Sequence, residues 1–576
     1  MAKIREVPRL PPAWWLPASF TLLLLAFSLL PQFRASTELT WSLWTACAVL
    51  AVLQGRLVWK GLVSVRQRGA DAATRLLANS GQDGRELELK VSLIPSHYVQ
   101  AFVQSCIYVY WGLYWEQMRH QAALIVAQIV FAYAFDMLVG WSRRKTWHLG
   151  FGQFPIILST NFFLCFKDEW FYLQFAMIAV GILGKEFFRW NRDGRKRHIF
   201  NPSGFALSVF SLGLILSGTT DLTWGAEIAT TLANAPHMYV AIFMAGLVVQ
   251  FFFSVTIVTL FAAAALVVAN LVYSSVTGVH FFVDASIPIA VFLGLHLLVT
   301  DPSTSPRSRL GSAVFGALYG LSVFGLFEFL RHVDVPLFYD KLLFVPVLNL
   351  CVPLLDRLGK SRRVESFRLS ALLQATKPRR VNYAFMAAWM GLFGWMLASN
   401  FVGQAHEGDD FRYWQTACDE GKRFACENLV TKLELTCNNG GGEECNMLGV
   451  LFNRGEVVPL DPLEGVSYFD QACRGGFHKG CQNVVIQAVF DGNVSMTSAG
   501  VSDAIEQLPT GCEDGESMSC FLLGYAHVHG HGVRKDIPLA QDLLSTACDM
   551  GEAAACAELE RGLGTLFFPP GSAPNR

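Results

Sequence analysis

The sequence predicts an all-α protein in two parts: a polytopic helical membrane half of about thirteen spans, and a C-terminal α/α solenoid. Three observations predict it. The composition is 52% hydrophobic with only 16% charged residues, which belongs to a membrane protein. Ten of the fourteen cysteines fall near the C-terminus as pairs of one spacing. Residues 1–402 carry 34 Lys/Arg against 21 Asp/Glu, whereas residues 403–562 carry 10 against 25. The net charge of −1 therefore hides a basic membrane half and an acidic exterior domain, and nothing in either suggests nucleic-acid binding.

Hydrophobic spans are expected near 15–31, 41–59, 97–115, 121–141, 151–166, 169–188, 202–218, 236–253, 255–274, 284–300, 309–330, 340–357 and 383–402. The basic start (Lys3, Arg5, Arg9) places the N-terminus in the cytoplasm, and the first span reads as a retained signal anchor. With 236–274 split in two at Ser254, the basic loops Arg143–Lys145, Arg189–His198, Arg307–Arg309 and Lys360–Arg379 all fall on the cytoplasmic side. An odd number of spans then puts the C-terminal repeats in the periplasm of a bacterial inner membrane.

The expected division is 1–94 (two spans and a polar cytoplasmic loop), 95–357 (membrane core), 358–402 (basic cytoplasmic loop and last span), 403–562 (repeats) and 563–576 (disordered tail). Residues 361–376 read as a basic helix on the inner membrane surface, so membrane lipid is an expected partner.

Two motifs interrupt the membrane half. Gly194-Arg195-Lys196-Arg197-His198-Ile199-Phe200-Asn201-Pro202-Ser203-Gly204 and His296-Leu297-Leu298-Val299-Thr300-Asp301-Pro302-Ser303-Thr304-Ser305-Pro306-Arg307 each set Asn-Pro or Asp-Pro ahead of an apolar run. Pro suits the first helical position, and the Asn or Asp before it accepts free N–H groups as N-cap. Both starts fall on the cytoplasmic side with Arg195, Arg197, Arg307 and Arg309 near them. An anion site is one reading of this arrangement, with ordinary capping in positive-inside loops as the alternative. Asn201, Ser203, His296, Thr300, Asp301, Ser303, Thr304 and Arg307 are the candidate ligand-binding residues.

Asp136, Lys185 and Glu186 are ionisable residues at membrane depth, where a charge is costly and faces a partner or a water path. Gln128, Asn161 and Gln174 read as polar glue between helices, and Gly316 with Gly320 as close helix packing. No catalytic constellation emerges. His527, His529 and His531 alternate in a Gly-rich turn and are not expected to converge on a metal.

In the C-terminal stretch Cys418/Cys426, Cys437/Cys445, Cys473/Cys481, Cys512/Cys520 and Cys548/Cys556 are all C-x7-C, and the later pairs recur every 36 to 39 residues. The first Cys of a pair would end one helix and the second open the next, so a disulfide would staple two antiparallel helices. Zinc is the alternative, but seven intervening residues exceed the usual two to four. Each staple contributes roughly 2 to 3 kcal/mol by loop entropy and places the tail in an oxidising compartment.

Two units, Cys445-Asn446-Met447-Leu448-Gly449 to Cys473, and Cys520-Phe521-Leu522-Leu523-Gly524 through Gly530-His531-Gly532-Val533 to Cys548, resemble Sel1-like repeats in their cysteine-paired form. The resemblance spans about 408–562. It implies a concave solenoid that contacts a protein or peptide rather than performing chemistry. The first two pairs lie 19 residues apart, so one unit is expected to be truncated or fused.

The two membrane motifs, with Gly184-Lys185-Glu186 ahead of the first, look like the Rnf-D/NqrB family, membrane proteins of the Rnf electron-transport complex and of the sodium-pumping NADH:quinone reductase. The resemblance covers about 95–357. It implies a ten-helix core of two inverted halves, other proteins of a membrane complex as partners, and a flavin esterified to threonine in an S-G-A-T type sequence. Here the chain departs: Ser217-Gly218-Thr219-Thr220 and Gly225-Ala226-Glu227-Ile228-Ala229-Thr230 are the nearest segments and neither matches. Covalent flavin is not expected, and non-covalent FMN or riboflavin, or another ligand, stays open. The expected function is a membrane component of an electron-transport complex. A small-molecule or ion transporter, and a membrane-anchored scaffold, are the alternatives.

Overall fold

The computed structural model of the chain describes residues 15–68, 88–143, 146–192, 194–333, 335–359, 378–403, 405–493, 495 and 498–563. The basic start, most of the loop over 60–95, Arg144 and Lys145, the expected surface helix at 361–376 and the tail from 564 lie outside the described residues. The chain divides into two compact units. One comprises Met1–Tyr273 and Ala285–His406, the other Ser274–Asp284 and Glu407–Arg576.

The first unit is helical apart from two short two-stranded pairs: Glu88–Val91 beside Thr146–Leu149 in parallel, and the hairpin Arg189–Arg192/Arg195–His198. The hairpin turns at Gly194 (φ +72°) and carries the basic segment that reads in sequence as a plain loop. Thirteen clear spans are not present among the described residues. Among the described residues six helices are long and apolar enough to cross a membrane: Thr37–Lys60, Glu116–Arg143, Thr256–Thr277, Arg309–His332, Leu337–Gly359 and Arg380–Ala398. A seventh is reached if Gly225–Asn234 and Met238–Phe253, bent by 101°, count as one span.

The shortfall has a physical cause. Several expected spans fold as short helices: Phe154–Asn161 has 8 residues, Ile289–Leu297 has 9, and Tyr172–Phe187 and Pro202–Ser217 have 16 each. An eight-residue helix rises only about 12 Å, under half the hydrocarbon thickness. The two shortest are bounded by proline at the start (Pro155, Pro288) and by a polar residue at or just beyond the end (Asn161, Thr300). Their apolar side chains are buried in protein, every residue of Ile289–Leu297 among them. Hydropathy alone does not separate burial in protein from burial in lipid. Outside this core a set of large apolar side chains is exposed, including Leu216, Val268, Leu271, Val272, Leu321, Leu350 and Leu354.

Close packing and internal amides hold the helices together. A Cβ on Gly316 or Gly320 would run into the backbone carbonyls of Val258 and Ala262, so Arg309–His332 crosses Thr256–Thr277 at backbone distance. Asn161 receives Gln128 Nε2 at 3.2 Å and Gln174 Nε2 at 3.1 Å on its carbonyl, and donates to Gln128 Oε1 at 2.6 Å. Met238–Phe253 and Thr256–Thr277 are separate helices, parted at Ser254 in the left-handed region (φ +56°).

The second unit is an array of antiparallel helix pairs. Phe411–Asp419 and Ala425–Asn438 are joined by Cys418–Cys426, and Pro462–Arg474 and His478–Val489 by Cys473–Cys481. Ala499–Glu513 and Ser517–His529 are joined by Cys512–Cys520, and Ile537–Asp549 and Ala553–Arg561 by Cys548–Cys556. The Cα atoms of each pair stand 4.5 to 4.8 Å apart. Cys437–Cys445 explains the short spacing. Ala425–Asn438 carries Cys426 near one end and Cys437 near the other, closing one pair and opening the next with Gly442–Arg454. Gly449 and Gly524 hold equivalent places, each four residues after a Cys. A Cβ there would press into Phe469 or Leu544 of the following helix.

Candidate functional site

In the first unit a cavity of about 260 Å³ forms where several helix ends meet. Gly152, Pro155, Ile156 and Ser159 line it from the short helix Phe154–Asn161 and the turn before it. Lys185 comes from the end of Tyr172–Phe187, and His97 and Gln100 from the start of Pro95–Gly112. Val249 and Phe253 close one side. The remaining wall is the two motifs: His198, Asn201, Pro202 and Ser203 from the first, and Leu297 and Thr300–Ser303 from the second.

Asn201 joins them. Its side-chain oxygen accepts from Ser203 N at 3.1 Å, Gly204 N at 3.3 Å and Ser203 Oγ at 2.8 Å, capping Pro202–Ser217. Its amide nitrogen donates to the Leu298 carbonyl at 2.9 Å, across to the second motif. Asp301 does not open a long helix. It organises a tight turn, accepting Ser303 N at 2.9 Å and the Thr304 hydroxyl at 3.3 Å, and it faces His198 Nε2 at 3.1 Å. Burial pushes the Asp301 pKa up. The His198 hydrogen bond and charge, with the Ser303 N–H and Thr304 hydroxyl, outweigh burial and hold it below the ordinary value. Among the described lining residues Lys185, His97, His198 and Asp301 are the ionisable groups, and they give the cavity a polar wall.

Three residues with no part in the sequence motifs build the frame. Asn349 accepts the Asn201 N–H at 3.0 Å and donates to the Thr304 carbonyl at 3.3 Å, tying both motifs to Val345–Gly359. Arg192 donates to the Ser305 carbonyl at 3.0 Å and pairs with Asp356 at 2.7 Å. Asp356 in turn accepts Arg307 N at 2.7 Å and Ser308 N at 3.2 Å. The one signal in sequence was an Asn and an Asp inside an otherwise apolar helix.

Of the sequence candidates, Asn201, Ser203, Thr300, Asp301 and Ser303 line the cavity, and Thr304 supports Asp301 from behind. His296 does not reach it. This ring is buried against Phe292, Trp389 and Gly246, with Nδ1 on the Phe292 carbonyl at 2.8 Å. Arg307 lines a different cavity. Lys185 lines the site, Glu186 pairs with Arg189 at 2.6 Å, and Asp136, buried in Glu116–Arg143, is not among the lining residues. His529 lies 5.6 Å from His531, ring to ring, and His527 Nδ1 bonds the Arg534 carbonyl at 2.9 Å. Among the described residues no cluster of His, Cys, Asp or Glu is arranged to hold a metal ion.

No curated protein matches the chain. The family model of the Sel1 repeat matches residues 445–477 and 517–552. Among solved structures, a Sel1 repeat protein from Oxalobacter formigenes is 17% identical over 23% of this chain and 98% of its own, with a TM-score of 0.20. A protective antigen of uropathogenic Escherichia coli strains displaying an SLR fold is 15% identical over 77% of this chain and 81% of its own, with a TM-score of 0.21. The C-terminal region, with its helix pairs, its cysteine staples and its glycines against the next helix, carries Sel1 repeats.

Proposed function

We propose that the chain is a membrane component of an electron-transport complex, with its ligand in the cavity of the first unit and its Sel1 repeats docking a periplasmic protein. One observation carries this reading. Two motifs about 100 residues apart in sequence are joined by Asn201–Leu298 and His198–Asp301 around one polar cavity that Lys185 also lines. The exposed apolar side chains and the long apolar helices support a bilayer as the solvent of this unit.

A covalent flavin does not fit this cavity. Ser217–Thr220 stand at the far end of Pro202–Ser217, about 24 Å along the axis from the cavity end at 1.5 Å per residue. Thr230 precedes Met238–Phe253, whose opposite end supplies Val249 and Phe253. A non-covalent flavin phosphate would be held by Lys185, His198, Asn201 and Ser203, and would supply one- and two-electron chemistry there. A second reading, transport of a small anionic solute, draws on the cavity's size, which falls below the usual 300 Å³ or more for larger ligands, and on short helices ending at the site.

The absorbance spectrum of detergent-purified full-length protein separates the two. Oxidised-flavin absorbance that vanishes on Lys185→Met with the fold retained supports electron transport, whose chemistry the cofactor itself would supply. A colourless protein whose thermal midpoint rises with small anions supports transport and sinks the electron-transport reading.

A further inference from the structure

In the repeat unit two histidines meet at the end of a helix. Ser517–His529 stops at Gly530, which lies in the left-handed region (φ +77°), and Gly532 follows at φ +69°. Hydrogen bonds fix the turn between them. The Gly530 and His531 N–H groups both donate to the Ala526 carbonyl, at 2.8 and 3.0 Å, and the Asp536 N–H donates to the His527 carbonyl at 3.1 Å. A Cβ on Gly532 would press into Ile505. The reversal brings His531 back beside His529, although the two alternate in sequence. Their ring centroids stand 5.6 Å apart, with planes 24° from parallel. Tyr525, one turn before His529, lies 4.4 Å from that ring and 6.1 Å from the His531 ring.

Two observations point to a ligand between these rings. Among the described residues neither imidazole has a hydrogen-bond partner, and His529 Nε2 is buried in that state, which is costly for a polar nitrogen. His527 differs, because its Nδ1 is engaged by the Arg534 carbonyl at 2.9 Å. The spacing is the second observation. With metal–nitrogen bonds of about 2.0–2.1 Å, two imidazoles that share one ion stand roughly 5–6.5 Å apart, centroid to centroid. Burial, then the His531 and Lys535 charges, hold His529 below the ordinary imidazole value, so the ring is neutral at neutral pH and keeps a lone pair to donate. Lys535 is exposed and opposes a second cation here. The carboxylate of Glu558, buried on Ala553–Arg561, acts the other way; with burial it raises the Tyr525 phenol.

We propose that His529 and His531 bind one divalent first-row transition-metal ion, whose remaining positions are open to water. Neutral imidazole suits copper, nickel and zinc, whereas magnesium and calcium take oxygen ligands. Copper(II) should bind tightest, since affinity at a nitrogen site peaks there across the row. Among the described residues no third His, Cys, Asp or Glu completes the set, so the site is an open one and not a closed structural centre. This role is additional to the docking proposed for the repeats and does not depend on it.

The test uses full-length protein without a histidine tag, with disulfides intact and metal removed by chelation. Copper(II) added below one equivalent should give an electron paramagnetic resonance spectrum split by imidazole nitrogens, and it should compete out zinc, while magnesium should do neither. Loss of even an outer-sphere partner costs metal sites roughly 10–100-fold, so His529→Gln and His531→Gln should each weaken copper(II) binding at least about 10-fold. His527→Gln should leave it unchanged. His531→Gln alters only the turn and serves if His529→Gln disturbs the helix end, with helical circular dichroism of the metal-free variants as the check on folding. Equal losses in all three variants, or undiminished binding in His531→Gln, would overturn the pair and leave adventitious binding to surface histidines. Failure of the unaltered protein to bind copper(II) would overturn it outright.

Discussion

Asn201 offers the sharpest perturbation of the candidate site, because its two side-chain atoms do different work. The oxygen caps Pro202–Ser217 and the nitrogen holds the Leu298 carbonyl, all within a side chain that is 4% exposed. Asn201→Ser retains an acceptor for the cap but cannot reach Leu298. It leaves that carbonyl without its donor at a cost of about 1–3 kcal/mol. Asn201→Ala loses the cap as well, a further 1 kcal/mol or so, for a total of about 2–4 kcal/mol. Asn201→Asp is the discriminating variant. A carboxylate is the better cap electrostatically, gaining about 0.3–1 kcal/mol at a helix N-terminus. It would also set oxygen against the Leu298 carbonyl oxygen and bury a charge. The expected order of stability at neutral pH is wild type, then Ser, then Ala, with Asp also below Ser. Thermal unfolding midpoints in one detergent give the order. Wild-type stability in Asn201→Asp would refute the bridge to the second motif, and wild-type stability in Asn201→Ser would reduce Asn201 to a cap.

Two further outcomes follow from the disulfides and the unit boundary. Denatured, unreduced protein should expose four thiols (Cys47, Cys106, Cys165 and Cys351), and labelling of ten or more would refute the staples. Reduction should lower the stability of the repeat unit by up to roughly 2–3 kcal/mol per staple. Truncation after residue 405 should leave Val279, Phe281, Phe282 and Val283, now buried, without their cover. Size-exclusion chromatography should then show more aggregation than for a truncation in which 274–284 is also replaced by a Gly/Ser linker. Equal monodispersity of the two would refute the assignment of this loop to the repeat unit.

What the sequence made legible were features whose physics is local. A C-x7-C pair needs only two helix ends and a turn, so Cys473–Cys481 and its counterparts could be paired by spacing. Asn201-Pro202 announces a helix start because cap and first turn lie within four residues. Gln128, Asn161 and Gln174 were readable as polar glue because an amide in an apolar run must find a partner. The frame was not readable. Asn349 pairs with Asn201 across 148 positions, and Arg192 with Asp356 across 164, and neither separation leaves a periodic trace. Asp301 looked like a second N-cap by analogy with Asn201. Its place in a tight turn against His198 depends on a hairpin that the basic composition of Arg189–His198 concealed.

The repeat boundary shows the same limit from another side. A solenoid is read from its period, and the period starts with the first complete pair, so sequence places the domain edge near residue 403. A terminal helix pair, however, has one apolar face with no neighbouring repeat to cover it. Here that cover has no period. Ser274–Asp284, the last turn of Thr256–Thr277 and the chain that follows it, belongs to the same compact unit as the repeats. The His280 N–H donates to the Tyr413 hydroxyl at 3.3 Å, and Trp414 Nε1 donates to the Val283 carbonyl at 3.3 Å. Lys432 pairs with Asp284 at 3.3 Å and Asp409 at 2.6 Å. Burial would lower the Lys432 pKa, but these two carboxylates hold it above the ordinary value, so the ammonium stays charged where it bridges loop and helix. The first Sel1-type helix pair is therefore completed by a segment more than a hundred residues upstream. The chain enters the repeat unit twice, and a single cut near residue 405 cannot release it whole.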